Sequence, residues 1–325
     1  MIGTPLFVTS GDLIADRRYQ LAMELHERGD LAAAADVLLQ TVERVPGFTT
    51  AWFALALVRE QLGDCAAAIS AFEKALAGDP EDRQGARLHL ARLGAGLPDT
   101  TALRGYVRQL FDQQAARFDV ALRQKLNYRG PELLFTAMET ACRDNGRRMH
   151  FTRMLDLGCG TGLVGEPFRP CVNFLAGVDL SPRMIDEARG KDVYDDLAVA
   201  DIEAHLATTR TPGTRYDLIV AADVFVYFSD LVPVITAIAA ALAREGLFAF
   251  TVETHDGAGA LLRDTLRYAQ SPEQVRIAVA QAGLQLLQLA PAIIRTEKGE
   301  PVRGLVAVAK SAASTLPHPE ATSSS

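Results

Sequence analysis

A strand-like run that ends in a glycine-rich turn is the feature that most constrains the fold of this 325-residue chain. The run Met154–Leu157 is followed by glycine at positions 158, 160 and 162. Glycines readily adopt positive φ and allow a ligand to lie against the backbone, where side chains would collide with it. The pattern therefore predicts a buried strand, a turn that is open to a cofactor, and a helix that begins soon after the turn.

The spacing of these glycines limits the kind of cofactor. The dinucleotide fingerprint G-x-G-x-x-G needs a glycine where this chain has Leu163, and the phosphate-loop pattern is absent. A glycine turn without a ligand is the structural alternative. The pattern D-x-G-x-G-x-G, which begins at Asp156, resembles the first motif of class I S-adenosylmethionine-dependent methyltransferases.

This resemblance implies that S-adenosylmethionine is the cofactor and that it binds around the turn. The Asp156 carboxylate suits the amino group of the methionine moiety, because a cation needs an acceptor that a pyrophosphate would repel. The turn itself contributes Gly158, Cys159, Gly160, Thr161 and Gly162.

Two later strand ends carry acidic residues where the resemblance implies further cofactor contacts. Asp179, followed by Leu180, lies about 20 positions beyond the turn, where nucleotide-binding folds place a carboxylate for the ribose hydroxyls. Met184 is predicted either to pack on the adenine face or to belong to the core. Asp201 and Ile202 are implied to contact the adenine, although an aspartate at a strand end is also a common helix cap.

The segment around the fourth predicted strand resembles the fourth methyltransferase motif, which implies Asp223 at the methionine end of the cofactor and Tyr227 near the reacting methyl. Glu253 and His255 come just past the fifth predicted strand, where open α/β sheets place their ligands, and they are the candidate general bases. For His255 an exposed loop position is the alternative. In the group of methyltransferases that the chain resembles, a histidine stands where this chain has Gln270. Glutamine cannot titrate near neutrality.

An alternation of strand-like and helix-like runs surrounds these motifs and predicts a parallel sheet with crossover helices. The resemblance extends over about 111–310 and implies an α/β fold, a Rossmann-like, seven-stranded, mostly parallel methyltransferase sheet. The predicted strands are Arg153–Leu157, Phe174–Asp179, Ala198–Asp201, Tyr216–Ala222, Leu247–Glu253, Leu284–Leu289 and Val302–Val308.

The N-terminal region repeats itself with a period of 34 residues, since Gly29-Asp30 recurs as Gly63-Asp64 and Pro46 recurs as Pro80. That period is typical of helical-hairpin repeats. The second copy resembles the tetratricopeptide pattern closely and implies a small all-α array ahead of the sheet. Two repeats and a capping helix are too few to be stable alone, so we expect the array to dock on the rest of the chain.

The chain is predicted to divide into five segments. These are an N-terminal tail at 1–14, tetratricopeptide-like repeats at 15–97, linking and lid helices at 98–150, the methyltransferase domain at 151–310 and a disordered tail at 311–325. In the linking segment, Phe111, Phe118 and Tyr128 either cover the cofactor as a lid or form the docking face for the repeats. We favour a packing role for Phe111 and Phe118.

The charge and the cysteine content of the chain bear on which partners and ligands it can bind. A formal net charge of −7 disfavours nucleic acid as a partner. The four cysteines form no C-x-x-C pair, the N-terminus lacks a signal-peptide pattern, and no run could span a membrane, so a cytoplasmic protein without a metal site is expected.

The sequence thus predicts a methyltransferase that acts by in-line displacement on a small-molecule or protein acceptor. The alternative is a non-catalytic adaptor in which the repeats bind a protein and the methyltransferase fold is only structural. The repeats are expected to bind a partner or to serve in self-association and docking, and we favour the second.

Overall fold

The computed structural model of the chain describes residues 9–96, 103–120, 122, 126–209 and 214–311. The predicted C-terminal tail, apart from Ser311, and the predicted boundary at 97–98 lie outside these residues. Five helices form the N-terminal array. They are α1 (Leu13–Glu27), α2 (Leu31–Arg44), α3 (Thr49–Gln61), α4 (Cys65–Gly78) and α5 (Ala86–Arg92).

The two repeats have the same residue types at the ends of their helices. Gly29 and Gly63 take φ of 82° and 80°, which ends the first helix of each hairpin. Asp30 and Asp64 then cap α2 and α4, each accepting a hydrogen bond of 3.2 Å from a backbone N–H three residues on. The 34-residue repeat is therefore confirmed as a pair of tetratricopeptide-like hairpins.

A linking segment of three described helices follows the array. Helix α6 (Arg104–Gln114) continues through a 3₁₀ turn at Ala115–Arg117 into the short α7 (Phe118–Val120), and α8 begins at Gly130. Helix α8 (Gly130–Asp144) has Pro131 in its first turn, where a missing N–H costs nothing. The predicted break between two helices at 127–131 therefore lies just ahead of α8.

The C-terminal part is a single mixed sheet with helices between its strands. The strands are β1 (Phe151–Leu157), β2 (Val172–Asp179), β3 (Asp196–Val199), β4 (Tyr216–Ala221), β5 (Leu242–Thr254), β6 (Ala260–Leu262), β7 (Tyr268–Gln270), β8 (Leu284–Glu297) and β9 (Glu300–Ser311). The helices are α9 (Gly165–Phe168), α10 (Pro182–Gly190), α11 (Ile202–Thr208), α12 (Val232–Ala241) and α13 (Pro272–Gln281).

The strands run in the order β3-β2-β1-β4-β5, all parallel, and β9 then pairs antiparallel with β5 and with β8. All seven predicted strands are present, and the α/β methyltransferase sheet is confirmed. The two short strands β6 and β7 were not predicted. Because Glu253 of β5 pairs with Gly304 on one edge and with Ala269 on the other, β7 lies on the edge that β4 leaves free.

Helices cover both faces of the sheet. Successive strand residues point to opposite faces, so Leu155 packs in the cluster that holds α12 and α13, whereas Met154 packs against α8 and α9. The strand centres are buried on both sides, as expected for a parallel sheet. This packing holds the carboxyl ends of β1, β2 and β4 along one edge, where the candidate site lies.

The repeat array docks on the linking segment through α5, as expected. Leu88 of α5 packs with Leu103, just ahead of α6, and with Leu266 and Tyr268 near β7. Arg92 of α5 also reaches the β6–β7 turn with an ion pair of 3.4 Å to Asp264. The array therefore contacts the same segment that covers the candidate site.

Candidate active site

A cavity of about 200 Å³ lies over the carboxyl ends of the parallel strands, between the glycine turn and the linking helices. It is the place where open α/β sheets bind ligands. The structure brings ten of the fifteen predicted site residues to its wall. They are Gly158, Cys159, Gly160, Thr161, Asp179, Leu180, Asp201, Ile202, Asp223 and Tyr227.

The glycine turn is shaped by close neighbours on one side and by the cavity on the other. Gly158, Gly160 and Gly162 have φ of 64°, 53° and 90°. A Cβ at Gly158 would lie 2.6 Å from Val224, and one at Gly162 would lie 2.9 Å from the Tyr194 ring. At Gly160 the nearest atom would be 3.7 Å away, on Phe118. The turn therefore leaves free backbone at Gly160, on the cavity side.

Asp179 is held rigidly at the cavity wall. One carboxylate oxygen accepts the Gly160 N–H at 2.9 Å and the other accepts the Ser181 N–H at 2.8 Å. Burial raises the pKa of Asp179, while these two backbone donors lower it. Because each oxygen still has a second lone pair, the carboxylate can accept a pair of hydroxyls from a ligand.

Asp156 does not reach the cavity surface. Its carboxylate is fully buried behind the glycine turn, and Oδ2 accepts a hydrogen bond of 2.6 Å from the Tyr194 hydroxyl. Burial raises its pKa to about 7, and the Tyr194 hydrogen bond acts in the opposite direction. Its Oδ1 has no hydrogen-bond partner among the described residues. The predicted contact with the cofactor's amino group therefore remains a prediction for this residue.

Asp201 has two roles in the structure. Its side chain caps α11 by accepting the Ala204 N–H at 3.1 Å, which is the structural alternative weighed from the sequence. It also forms an ion pair of 2.8 Å with Arg104, and Arg104 reaches Glu203 at 3.3 Å as well. Because Arg104 begins α6, this pair joins the linking helices to the far end of the cavity.

The linking helices cover the cavity as a lid. Phe111 of α6 contacts Phe118 at 5.8 Å and Tyr227 at 6.0 Å between ring centroids, both edge to face. All three side chains line the cavity, and so does Tyr128. Phe111 and Phe118 thus combine the two roles considered from the sequence, because they pack together while they form the cavity wall.

Polar contacts fasten this lid to the sheet. The Ser181 hydroxyl donates to Asp112 of α6 at 2.6 Å. Asp119 of α7 accepts a hydrogen bond from Thr161 of the glycine turn and another, at 2.6 Å, from Lys191. The lid is therefore closed onto the turn that would hold a cofactor.

A buried cluster of charges forms the other end of the cavity. Asp223 has φ of 59°, which is unusual for a residue other than glycine, and both of its oxygens accept from Arg295, at 2.9 and 3.0 Å. Arg295 also donates to Glu253, and both of these side chains are almost inaccessible to solvent. Glu253 is therefore an ion-pair partner and does not line the cavity.

Arg267 and Tyr227 lie at the cavity side of this cluster. The ion pair from Arg267 to Glu253 is long, at 3.7 Å. Burial opposes a charged Arg267, but the nearby carboxylates of Asp223, Glu253 and Glu297 outweigh that effect and raise its pKa. Burial raises the pKa of Tyr227, so its phenol is neutral near pH 7. Its hydroxyl lies next to Arg267, and no acceptor for its proton is present among the described residues.

Three further predicted or discussed residues lie outside the cavity wall. His255 is half-buried and its ring bonds within its own loop, to the Gly259 carbonyl and the Gly257 N–H, both at 3.1 Å. Met184 is fully buried, so the structure places it in the core. Gln270 is buried as well and donates to the Phe228 carbonyl at 2.9 Å.

Several residues in or next to the cavity wall were missed from the sequence. Arg267 stands in the Arg-Tyr-Ala segment whose histidine is replaced by Gln270, so a signal was present there. Arg295 lies beyond the predicted end of its strand, and Arg104 and Tyr194 carry no recognisable motif. Among the residues that the structure describes, no group of three or more His, Cys, Asp or Glu side chains could hold a metal ion.

Comparison with protein families agrees with this architecture. Residues 155–248 match the model of a methyltransferase domain, and residues 19–83 match a tetratricopeptide-repeat model. The first match includes the glycine turn and the acidic ends of β2 and β3. In the parts of the chain that the structure describes, no helix has the length and apolar character needed to cross a membrane.

Curated relatives align with part of the chain. The chain is 30% identical over 92 residues to an 18S rRNA (guanine-N(7))-methyltransferase of Mus musculus, which covers 28% of this chain and 31% of that protein. It is 27% identical over 124 residues to a ubiquinone biosynthesis O-methyltransferase of Methylobacterium, covering 36% of this chain and 50% of that protein. The chain therefore spans a third to a half of the length of these relatives.

Solved structures also align with the chain, at low identity. An S-adenosylmethionine-dependent methyltransferase from Clostridium acetobutylicum aligns with 62% of this chain and 99% of its own, at 19% identity and a TM-score of 0.45. Magnesium protoporphyrin IX methyltransferase from Synechocystis aligns with 66% and 98%, at 16% identity and a TM-score of 0.43. The two family matches identify tetratricopeptide repeats at 19–83 and a methyltransferase domain at 155–248 in this chain, and the helical hairpins and the parallel sheet lie in these two regions.

Proposed function

We propose that the chain transfers a methyl group from S-adenosylmethionine to an acceptor bound under the lid. The observation that carries this proposal is the cavity itself, which runs from the free backbone at Gly160 to the fixed carboxylate of Asp179. A turn filled by its own neighbours would have left no such space.

The residues on the cavity wall fit the cofactor. Asp179 offers two oriented oxygens for ribose hydroxyls, and Asp201 and Ile202 line the same wall, where they can contact the adenine. Behind the turn, Asp156 has one buried oxygen without a partner among the described residues, and we propose it for the cofactor's amino group, whose positive charge would favour the ionised form of this carboxyl group. When bound, S-adenosylmethionine supplies an electrophilic methyl group on a sulfonium.

The chain's own contribution to such a transfer is alignment and exclusion of water. The lid residues Leu110, Phe111 and Phe118 make the cavity wall apolar above the turn. Tyr227 lies between the lid and the charge cluster, where its hydroxyl can orient an acceptor. Positioning of this kind can supply a large part of the rate enhancement of a displacement reaction.

The bases named from the sequence receive different proposed roles. Glu253 fixes Arg295, which in turn fixes Asp223, so we assign Glu253 a positioning role. His255 would have to leave its loop contacts to act on a ligand, and we retain it only as a base for that rearranged state. The acceptor in this proposal is either a small molecule or a protein segment. The repeats are proposed to hold the lid in place through their contact with it.

Calorimetry with S-adenosylmethionine tests the proposal against the adaptor alternative. The wild type should bind the cofactor, and Asp179→Ala should weaken binding by roughly tenfold or more, since charge-assisted hydrogen bonds to the ribose are lost. Asp196→Ala, an exposed change on β3, is the matched control and should bind like the wild type. If neither the wild type nor the control bound the cofactor, the adaptor alternative would replace the enzyme.

A further inference from the structure

The hydrogen-bonding groups at the charged end of the cavity are mostly donors. Arg267 lines the cavity, and among the described residues its guanidinium makes one long ion pair, of 3.7 Å to Glu253. The Tyr227 hydroxyl lies next to this guanidinium, and no acceptor for its proton is present among the described residues. The Tyr128 ring lines the same wall, and the carboxylate of Asp223 is ion-paired with Arg295.

In the part of the chain that the structure describes, the cluster holds as many positive as negative side chains. Among the described residues, three guanidinium groups face three carboxylates. The arginines are Arg263, Arg267 and Arg295, and the acids are Asp223, Glu253 and Glu297. A ligand carboxylate at this end would therefore meet donors without a net negative field, which is the usual requirement for burying an anion.

We infer that the methyl acceptor is a carboxylic acid, bound as its carboxylate by Arg267 and Tyr227, with its apolar part against the lid. This inference rests on the proposed function and adds the substrate class to it. The apolar part would contact Val107, Leu110 and Phe111, which line the cavity on the lid side.

The chemistry of a carboxylate acceptor matches the groups present. A carboxylate oxygen forms the new bond to the methyl carbon, the carbon–sulfur bond breaks with its electron pair going to sulfur, and no proton has to be removed. A negative oxygen and a positive sulfur become a neutral ester and a neutral thioether. Because the opposite charges disappear together, the apolar side chains on the lid side of the cavity do not oppose the transfer.

An alcohol or an ammonium acceptor would need a base at the same place. No histidine or lysine lines the cavity among the residues that the structure describes. Of the carboxylates at this end of the cavity, Asp223 and Glu297 are both ion-paired with Arg295, and His255 bonds within its loop. The cavity therefore suits an acceptor that is already ionised at neutral pH.

The inference is tested by measuring how tightly carboxylic acids bind to the full-length protein when it is saturated with S-adenosylhomocysteine. Calorimetry compares each of three carboxylic acids with an alcohol and an amine of matching carbon skeleton. Hexanoate is compared with hexanol and hexylamine, benzoate with benzyl alcohol and benzylamine, and phenylacetate with phenylethanol and phenethylamine. At least one acid should bind more tightly than both of its analogues. Arg267→Gln should weaken that acid by about tenfold or more, as expected for one lost charge-assisted hydrogen bond.

Arg263→Gln is the matched control, because it removes a charge next to the same Glu253 from outside the cavity wall. It should change the affinity for the acid by less than Arg267→Gln does. The inference is overturned if no acid exceeds its analogues, if the two arginine variants weaken the acid equally, or if Arg267→Gln weakens S-adenosylmethionine as much as the acid. In the last case Arg267 would hold the cofactor's own carboxylate.

A second readout separates this inference from the proposed function. Full-length protein is incubated with methyl-labelled cofactor and the preferred acid, and the product is treated with alkali. A methyl ester releases labelled methanol, whereas an ether or a methylamine keeps its label. Alkali-stable label would overturn the carboxylate and leave the methyltransferase intact, whereas failure of the cofactor to bind at all would overturn both.

Discussion

Gly105 of the lid helix lies directly against the backbone carbonyl of Glu81, in the turn that leads to the capping helix of the repeats. A Cβ at position 105 would be 1.9 Å from that oxygen, so only glycine allows this approach. On the same surface, a Cβ at Gly85 would come within 2.7 Å of Tyr106, a residue that lines the cavity. The repeats and the cofactor cavity therefore share one helix between them.

Gly105→Ala should separate the lid from the repeats. The methyl group cannot be accommodated against a backbone oxygen, so α6 must shift, and overpacking of this kind typically costs about 1–3 kcal/mol. We expect lower stability in urea and weaker binding of S-adenosylmethionine by calorimetry. Gly47→Ala, where nothing lies within 4 Å of the added carbon, is the control and should show neither effect. Equal affinities in both variants would mean that the docking does not influence the cavity.

Truncation before Gln109 should leave cofactor binding measurable but weakened. The deletion removes the repeats together with Arg104, and so the ion pair of 2.8 Å to Asp201, but it retains the glycine turn and Asp179. The partly exposed pair at Arg104 contributes only about 1 kcal/mol or less, so most of the loss should come from an unsupported lid. Calorimetry on the truncated chain measures this, and an unchanged affinity would remove the lid role.

The positions of seven strands along the chain could be predicted because an apolar run marks each of them. Strand β8 shows where that signal fails. The sequence predicts its end at Leu289, since Pro291 interrupts the run, yet the strand continues to Glu297 with a register shift near Ile293. This extension carries Arg295 into the charge cluster, so the residue was missed because its strand was predicted too short.

The site residues that belong to local sequence motifs were predicted. Asp179 and the glycines are set by spacing along the chain, and the structure brings them together. The partner of Asp156 was not predictable, because Tyr194 is 38 residues away and packs against Gly162, Gly165 and Gly177 for reasons of tertiary shape. The missing β6 and β7 have three residues each, too short for an alternation pattern to be recognised.

Asp156→Asn should change how stability depends on pH. The pKa of Asp156 is raised from 3.8 to about 7 by burial, so between those values the unfolded chain is ionised while the folded chain keeps the proton. Stability of the wild type therefore falls as the pH rises from about 4 to about 7, by an upper limit of about 4 kcal/mol from this group. The asparagine side chain does not titrate, so the variant should lose less stability over this window.

Urea unfolding at several pH values measures this difference. Tyr194→Phe serves as the directional control, because it removes the hydrogen bond that lowers the pKa of Asp156 and should extend the falling window to higher pH. A variant Asp156→Asn that followed the wild type over the whole range would contradict the buried, protonated carboxyl group.

Arg295→Met should be strongly destabilising, because it leaves Asp223 and Glu253 without their shared cation. Removing one partner of a buried ion pair typically costs about 3–5 kcal/mol, and Glu253 is only 2% exposed. The double variant Arg295→Met/Glu253→Gln should recover part of that loss, since a neutral amide replaces the uncompensated charge. Arg295→Lys keeps the charge but has one nitrogen in place of the two that donate to Asp223 and to Glu253, so it should lie between the wild type and Arg295→Met. Denaturant midpoints order these variants. A double variant less stable than Arg295→Met would show that the charge of Glu253 is stabilised by its other neighbours, Arg263 and Arg267.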